Sequence, residues 1–195
     1  MDKKIIRYGV VGVGRGGYLA GLGLDNPNCK LVAACDKDEA RLISFQVSLA
    51  KQGLTDCQYF TDFDEMLKTD IDAVIVATDA IYHVPFVKKA MEAGKHVLSE
   101  IPSINTLEEA YELKAITKAH PDLIYMAAEN CCYWAFIETW KKMHERGEFG
   151  EIVYAEAEYL HAGNPDNFKP LKNPDHWRAF NPAIKYLTHE LGPLL

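Results

Sequence analysis

The 195 residues hold 48% apolar and 25% charged side chains, the balance of an ordinary globular protein with room for one sizeable core and part of a second unit. A net charge of −7 without any basic block argues against nucleic acid or an anionic membrane surface as partner. Met1-Asp2-Lys3-Lys4 runs straight into strand-like Ile5-Ile6 and no apolar run reaches membrane-spanning length, so neither a leader nor a membrane span is expected.

Cysteines 29, 35, 57, 131 and 132 show no CxxC spacing, which fits reduced thiols in a cytoplasmic protein. Ile5 to Val13 reads as a buried strand, and glycines follow at once. In GVGRGG, Gly12, Gly14 and Gly17 form GxGxxG, with Arg15 and Gly16 in the same turn. The chemistry of that spacing is specific: Gly12 permits a tight turn, Gly14 lets a pyrophosphate touch the backbone, and Gly17 lets helix and strand pack closely. The phosphates would sit at the positive end of the following helix.

Cys29 to Asp36 is a second apolar run closed by an acid, 19 residues beyond Gly17. A carboxylate there accepts the ribose hydroxyls of NAD and repels the extra phosphate of NADP, so NAD is expected and NADP less so. The plainer alternative is that Asp36 caps the next helix. Ala40, Ile43, Val47 and Ala50 recur at helical spacing after it.

Ile71 to Asp79, Lys95 to Glu100 and Leu123 to Asn130 are further apolar runs, covered on both faces as in a parallel sheet. Val84, Val87, Ala90 and Met91 mark a helix between the first two. Thr106-Leu107-Glu108-Glu109 is a capping box opening a helix that must stop near His120, ahead of Pro121. Alternating strands and helices imply right-handed crossovers and a Rossmann-type, doubly wound parallel sheet over residues 1–130. Strand ends line the crevice of such a sheet, so Thr78 and Glu100 join the cofactor candidates. For Thr78 a helix cap is an equal alternative, and His83 reads first as a partly exposed helical histidine and second as a cofactor contact.

Residues 131–195 read as the start of a second α/β domain, left incomplete. Phe136, Ile137, Trp140, Met143 and His144 mark an amphipathic helix that Gly147 ends. Glu151 to Leu160 alternates as a long strand of a mixed or antiparallel sheet, with Glu156 and Glu158 on its wetter face as surface groups. Pro165, Pro170, Pro174 and Pro182 punctuate a long loop, and YLTHELGPLL stops within an apolar segment. His161, His176 and His189 lack metal-ligand spacing, so no metal is expected.

GVVGVGRGGYLA, DAVIVATDAIYHVPFVKKAMEAGKHVLSE and Pro102 followed by the TLEEA run together resemble the Gfo/Idh/MocA oxidoreductases, named for glucose–fructose oxidoreductase and inositol dehydrogenase. The resemblance covers nearly all of residues 5–130. It implies an NAD-binding Rossmann domain, a second domain whose mixed sheet covers the nicotinamide and packs homo-oligomers, and a sugar-like or polyol substrate. Such proteins usually carry Glu-Lys-Pro where this chain has Glu100-Ile101-Pro102. Glu100 then keeps its place at the nicotinamide ribose, while Ile101 can neither give nor take a proton.

The resemblance extends to Asn130 and the Trp177-Arg178 pair as cofactor contacts. His189, with Tyr133 second, becomes the candidate for the missing proton transfer, since imidazole titrates near neutral pH. Glu-x-Pro without lysine, AENCCY and THELGP are also similar to a branch of NAD-dependent glycosidases. That branch oxidises the sugar transiently, eliminates the leaving group, adds water and returns the hydride. The leading expectation is an NAD-dependent sugar or polyol oxidoreductase; redox-assisted glycoside cleavage is the alternative, and a non-catalytic NAD-binding protein the third.

Overall fold

The computed structural model describes residues 5–160 and 187–194. The chain folds as two units, Met1–Ala127 and Ala128–Leu195. In the first, strands β1 (Ile6–Val11), β2 (Cys29–Cys35), β3 (Gln58–Phe60), β4 (Ala73–Val76), β5 (His96–Ser99) and β6 (Tyr125–Ala127) form one sheet in the order β3-β2-β1-β4-β5-β6. Every pairing is parallel. The chain winds outward from β1 to β3 and then returns to β4, so the order reverses between β1 and β4. Ligands of open α/β sheets lie beyond the strand ends at such a reversal.

Helices α1 (Arg15–Leu24), α2 (Glu39–Lys51), α3 (Phe63–Leu67), α4 (His83–Glu92) and α5 (Leu107–Ala119) link the strands, with a 3₁₀ turn at Ala80–Tyr82. Val10, Val74, Val76, Val84, Val87, Ala90 and Met91 are fully or almost fully buried in two apolar clusters packed against the sheet. This is the burial expected of strands covered on both faces. Tyr8 joins the first helix to its strand, donating its hydroxyl to the Ala20 carbonyl at 2.7 Å.

The helix ends follow local chemistry. Thr106 Oγ1 accepts the Glu109 amide at 3.2 Å, while the Glu109 carboxylate reaches back to the amide of Asn105, one residue before the usual capping-box partner. Helix α5 stops at Ala119, and His120 leaves helical geometry ahead of Pro121. Strand β3 and helix α3 are additions to the expected elements; three and five residues are too short to show a period.

Helix α2 corrects the expected burial. Ile43 and Val47 face outward, 60% and 49% exposed, and Ala40 and Ala50 are exposed with them. The buried stripe is Leu42 and Leu49, with Phe45 packed against the same cluster. Two helical stripes of similar apolarity existed, and packing against Tyr8, Leu31 and Ala34 selected the bulkier one.

The second unit holds a 3₁₀ turn at Asn130–Tyr133, helix α6 (Ala135–Glu145) and helix α7 (Thr188–Leu194). Gly147 ends α6 as expected, with φ 73° and its amide on the His144 carbonyl at 2.8 Å. Glu151 to Leu160 has no ladder partner among the described residues, and Val153 is 90% exposed there. Alternation favours a strand, but the backbone needs a neighbouring strand to bond. The expected mixed sheet is therefore absent among the described residues. None of their helices is long and apolar enough to cross a membrane.

The outward turn of Ile43 gives a direct test. Leu49→Ala, at a site 2% exposed, should cost about 2–4 kcal/mol, and Ile43→Ala within about 0.5 kcal/mol, in urea unfolding followed by circular dichroism.

Candidate functional site

The turn after β1 is shaped by steric limits. Gly12 has φ 86°, and a Cβ there would lie 2.4 Å from the Ala77 carbonyl oxygen, so no other residue fits. Gly14 is the opposite case: the nearest atom to an added Cβ is Arg41 Nη1 at 3.8 Å, leaving the backbone open to an incoming group. Close helix–strand packing falls to Gly16, whose Cβ would meet Val10 Cγ2 at 2.7 Å and Ala77 Cβ at 3.0 Å. Gly17, expected in that role, instead faces the Phe45 ring of α2 at 3.1 Å.

Gly14 is the N-cap of α1 and supplies no side-chain hydrogen bond. An uncapped helix start with open backbone is suited to phosphate oxygens. Beside it runs a groove lined by Val13, Gly14, Ala40, Arg41, Ser44 and Phe45.

Asp36 is buried at the end of β2, and its carboxylate stitches two segments. Oδ2 accepts the Val13 amide at 3.0 Å and Oδ1 the Asp38 amide at 3.0 Å. It does not cap α2; Asp38 does, accepting from the amides of Ala40 and Arg41. A carboxylate has room for about four hydrogen bonds, so Asp36 keeps lone pairs for a diol.

Glu100, also buried, follows β5. Its Oε1 pairs with Arg15 Nε from the glycine turn, and Oε2 accepts the Ile101 amide at 2.8 Å. The Ile101–Pro102 bond is cis. The paired charge answers the cost of a carboxylate at a buried strand end. Arg15, a turn residue in the sequence, thus becomes the charge partner of a residue 85 positions away; no local pattern announces such a pair.

His83 departs from expectation most. It is 1% exposed, with Nδ1 2.9 Å from the Pro102 carbonyl and Nε2 3.0 Å from the Thr78 carbonyl. The ring braces the end of β4 to the turn after β5, and each of its nitrogens faces a carbonyl oxygen of the protein. Thr78 is not a helix cap, because Asp79 precedes the 3₁₀ turn. Its hydroxyl lies 3.3 Å from the Asp79 carbonyl.

In the second unit, His189 is buried and its Nδ1 lies 2.7 Å from Glu129 Oε1 and 3.2 Å from Cys131 Sγ. Burial pushes the Glu129 carboxyl up, but hydrogen bonds from His189, Thr188 and the Cys131 amide outweigh it and leave the group below its ordinary value. An ionised Glu129 can only accept, so the His189 Nδ1 that faces it carries a proton. The Tyr159 ring lies against the imidazole, centroids 4.2 Å apart.

Glu129, Cys131 and His189 also place three metal-capable atoms within 4.8 Å of one another. Their spacing is that of hydrogen bonds. Burial first, then the adjacent Glu129, pushes the Cys131 thiol up to about 12, so it stays protonated. The sequence offers Glu129 as a candidate with Asn130 and Tyr133 after the sixth strand, but not its partner; the pairing with His189 spans 60 positions.

Asn130 and Tyr133 are exposed on a 3₁₀ turn whose Cys131 is buried, and among the described residues the Tyr133 hydroxyl makes no hydrogen bond to the His189 cluster. Trp177 and Arg178, with His161 and His176, lie outside the described residues.

A family model described as an oxidoreductase family with an NAD-binding Rossmann fold matches residues 6–128. Among curated proteins, glycosyl hydrolase family 109 protein 4 of Phocaeicola vulgatus is 34% identical over 98% of this chain and 39% of its own. Glycosyl hydrolase family 109 protein 1 of Bacteroides fragilis is 33% identical over 97% of this chain and 42% of its own. The chain thus spans about two-fifths of these relatives. Among solved structures, scyllo-inositol dehydrogenase of Lactobacillus casei with bound NAD(H) and scyllo-inositol superposes with a TM-score of 0.68 at 29% identity, over 77% of this chain and 44% of that one. Myo-inositol 2-dehydrogenase of Lactobacillus plantarum gives 0.68 at 28% identity, over the same shares.

The lowered Glu129 carboxyl carries a pH signature. A depressed folded value stabilises the fold fully above the ordinary value near 4.5, and that contribution is lost as pH falls through the folded value. Glu129→Gln should therefore flatten the acid limb of the stability–pH curve below about 4.5, measured by thermal unfolding from pH 7 downward.

Proposed function

The chain belongs to the Gfo/Idh/MocA oxidoreductase family, and from that premise we propose that it binds NAD on the glycine turn and oxidises a carbinol carbon of a sugar, polyol or sugar-derived substrate. NAD, when bound, supplies the hydride acceptor. The observation that carries the reading is the open Gly14 backbone at an uncapped helix start, beside a buried Asp36 tied to that turn.

In this reading the first amides of α1 hold the pyrophosphate, and Asp36 holds the adenosine diol with its remaining lone pairs. Glu100, oriented by Arg15 and the Ile101 amide, serves the nicotinamide ribose. Thr78 lends its strand-end position, and His83 works behind it as a brace rather than as a contact. Asn130, Trp177 and Arg178 complete the proposed cofactor contacts.

Ile101 offers no proton acceptor, and in this reading His189 takes the hydroxyl proton, with Glu129 stabilising the imidazolium that forms. Tyr133 is the second candidate for proton transfer. Homo-oligomerisation through the second domain belongs to the same proposal.

A second reading is favoured by a specific finding: the curated relatives matched across this chain are named glycosyl hydrolase family 109 proteins. Glycoside cleavage by transient oxidation uses the same cofactor groove and the same proton acceptor, and differs in leaving no net reduced cofactor.

Asp36→Ala should weaken NAD binding by at least about tenfold in calorimetry, with the fold retained by circular dichroism. His189→Ala should abolish turnover while dinucleotide affinity stays. A polyol and glycoside panel separates the readings: net NADH formation supports dehydrogenation, cleavage without it supports the hydrolase. NADH binding without any turnover supports a non-catalytic role. Unchanged affinity in Asp36→Ala removes Asp36 from the site.

A further inference from the structure

The Glu129–Cys131–His189 cluster of the second unit carries more polar atoms than its hydrogen bonds satisfy. His189 Nδ1 lies 2.7 Å from Glu129 Oε1 and 3.2 Å from Cys131 Sγ, and the three ligand-capable atoms fall within 4.8 Å of one another. Cys131 is fully buried and His189 nearly so, while the Glu129 side chain, 11% exposed, gives the cluster its edge on solvent. Glu129 Oε2 is buried without a hydrogen-bond partner, and so is Oε2 of Glu190, the residue after His189. Glu190 accepts the Tyr159 amide on its other oxygen at 3.2 Å, and its charge reaches the Cys131 thiol. Buried carboxylate oxygens are ordinarily satisfied, and a bound ion is one way of satisfying them.

The donor set has its own chemistry. Imidazole nitrogen, thiolate sulfur and carboxylate oxygen are the groups that bind zinc in proteins. A tetrahedral zinc with bonds of about 2.0–2.3 Å keeps its ligands roughly 3.3–3.8 Å apart, so these side chains need to open by less than about 1 Å. The charges match as well. Zinc ionises a thiol that it binds, even one that burial keeps protonated, and the thiol proton leaves to solvent. One thiolate and one carboxylate then neutralise the divalent cation, which leaves no net charge buried. Calcium and magnesium take oxygen ligands and suit this set poorly.

We propose that Glu129, Cys131 and His189 form a zinc site, with Glu190 as the candidate fourth ligand, and that zinc bound there switches proton transfer off. The switch rests on the reading that His189 accepts the hydroxyl proton of the substrate. In the metal-free chain Nδ1 donates to Glu129. Zinc takes Nδ1, and the single proton of a neutral imidazole moves to the other nitrogen. Neither nitrogen then has a lone pair to receive a proton. Glu129 is drawn from the imidazole to the metal in the same step, so no carboxylate is left to stabilise an imidazolium.

The test uses the full chain freed of metal by chelator and dialysis. Zinc is titrated by calorimetry and cobalt(II) by absorption, where a thiolate ligand gives a charge-transfer band in the near ultraviolet. Wild type is compared with Cys131→Ser, Glu129→Gln and Cys132→Ser, each checked for fold by circular dichroism. Wild type should bind one zinc per chain and show the band. Cys131→Ser should lose the band and weaken zinc at least about a hundredfold, Glu129→Gln should keep the band and weaken zinc at least about tenfold, and Cys132→Ser should match wild type. No band in wild type, or a band that survives in Cys131→Ser, overturns the zinc site and leaves the functional reading standing. Should Cys131→Ser fail to fold, Glu129→Gln decides, and unchanged zinc affinity there overturns the site. Turnover of the polyol and glycoside panel is then followed with added zinc and again after chelator. Zinc should stop turnover in step with occupancy and chelator should restore it; full turnover with the site loaded overturns the switch. A chain that turns over nothing overturns the functional reading and the switch with it, while the cobalt band still decides the site.

Discussion

The hydrogen bond from the Val13 amide to the Asp36 carboxylate is the fixed point of the first unit. It joins the turn that follows β1 to the end of β2, so the glycines and the acid hold one position relative to each other. Gly12 makes the turn possible by adopting a positive φ under the Ala77 carbonyl, and Gly16 lets α1 settle onto β1 and the end of β4. Without that bond a buried carboxylate would lack one of its amide donors and the turn would lose its anchor, each at a cost comparable to a broken buried hydrogen bond. The open backbone at Gly14 has meaning only because its neighbours are held this firmly.

The two ionisable clusters divide the chemistry. In the first unit, Glu100 and Asp36 are carboxylates whose oxygens are already partly engaged by Arg15 and by backbone amides, an arrangement that orients acceptors but moves no proton. In the second, Glu129 and His189 form a carboxylate–imidazole pair whose tautomer is set by the carboxylate. Ile101 can neither give nor take a proton, whereas the second unit holds a pair that has the form of a proton acceptor.

The parallel sheet, the glycine turn and the acid at the end of β2 are readable in the sequence, because each rests on local requirements: buried β-branched runs, φ sign and spacing. The buried stripe of α2 is not, because Ile43 and Val47 satisfy a helical period as well as Leu42 and Leu49 do, and only the packed neighbours distinguish them. Residues Glu151 to Leu160 alternate as a strand would, and no partner strand for them lies among the described residues. His83 shows the same limit. Its burial comes from the Pro102 and Thr78 carbonyls arriving from separate strand ends, which no window of sequence contains. Glu129 with His189 and Arg15 with Glu100 are pairs of the same kind.

The Arg15–Glu100 pair ties the fate of two distant positions. A buried carboxylate stripped of its guanidinium is strained electrostatically, and a guanidinium stripped of its acid loses its charge partner. Drift at either position is thus penalised unless the other changes with it. Across divergent descendants of this chain the two columns should shift in step, and lineages that abandon one charge should be found to have relinquished its counterpart.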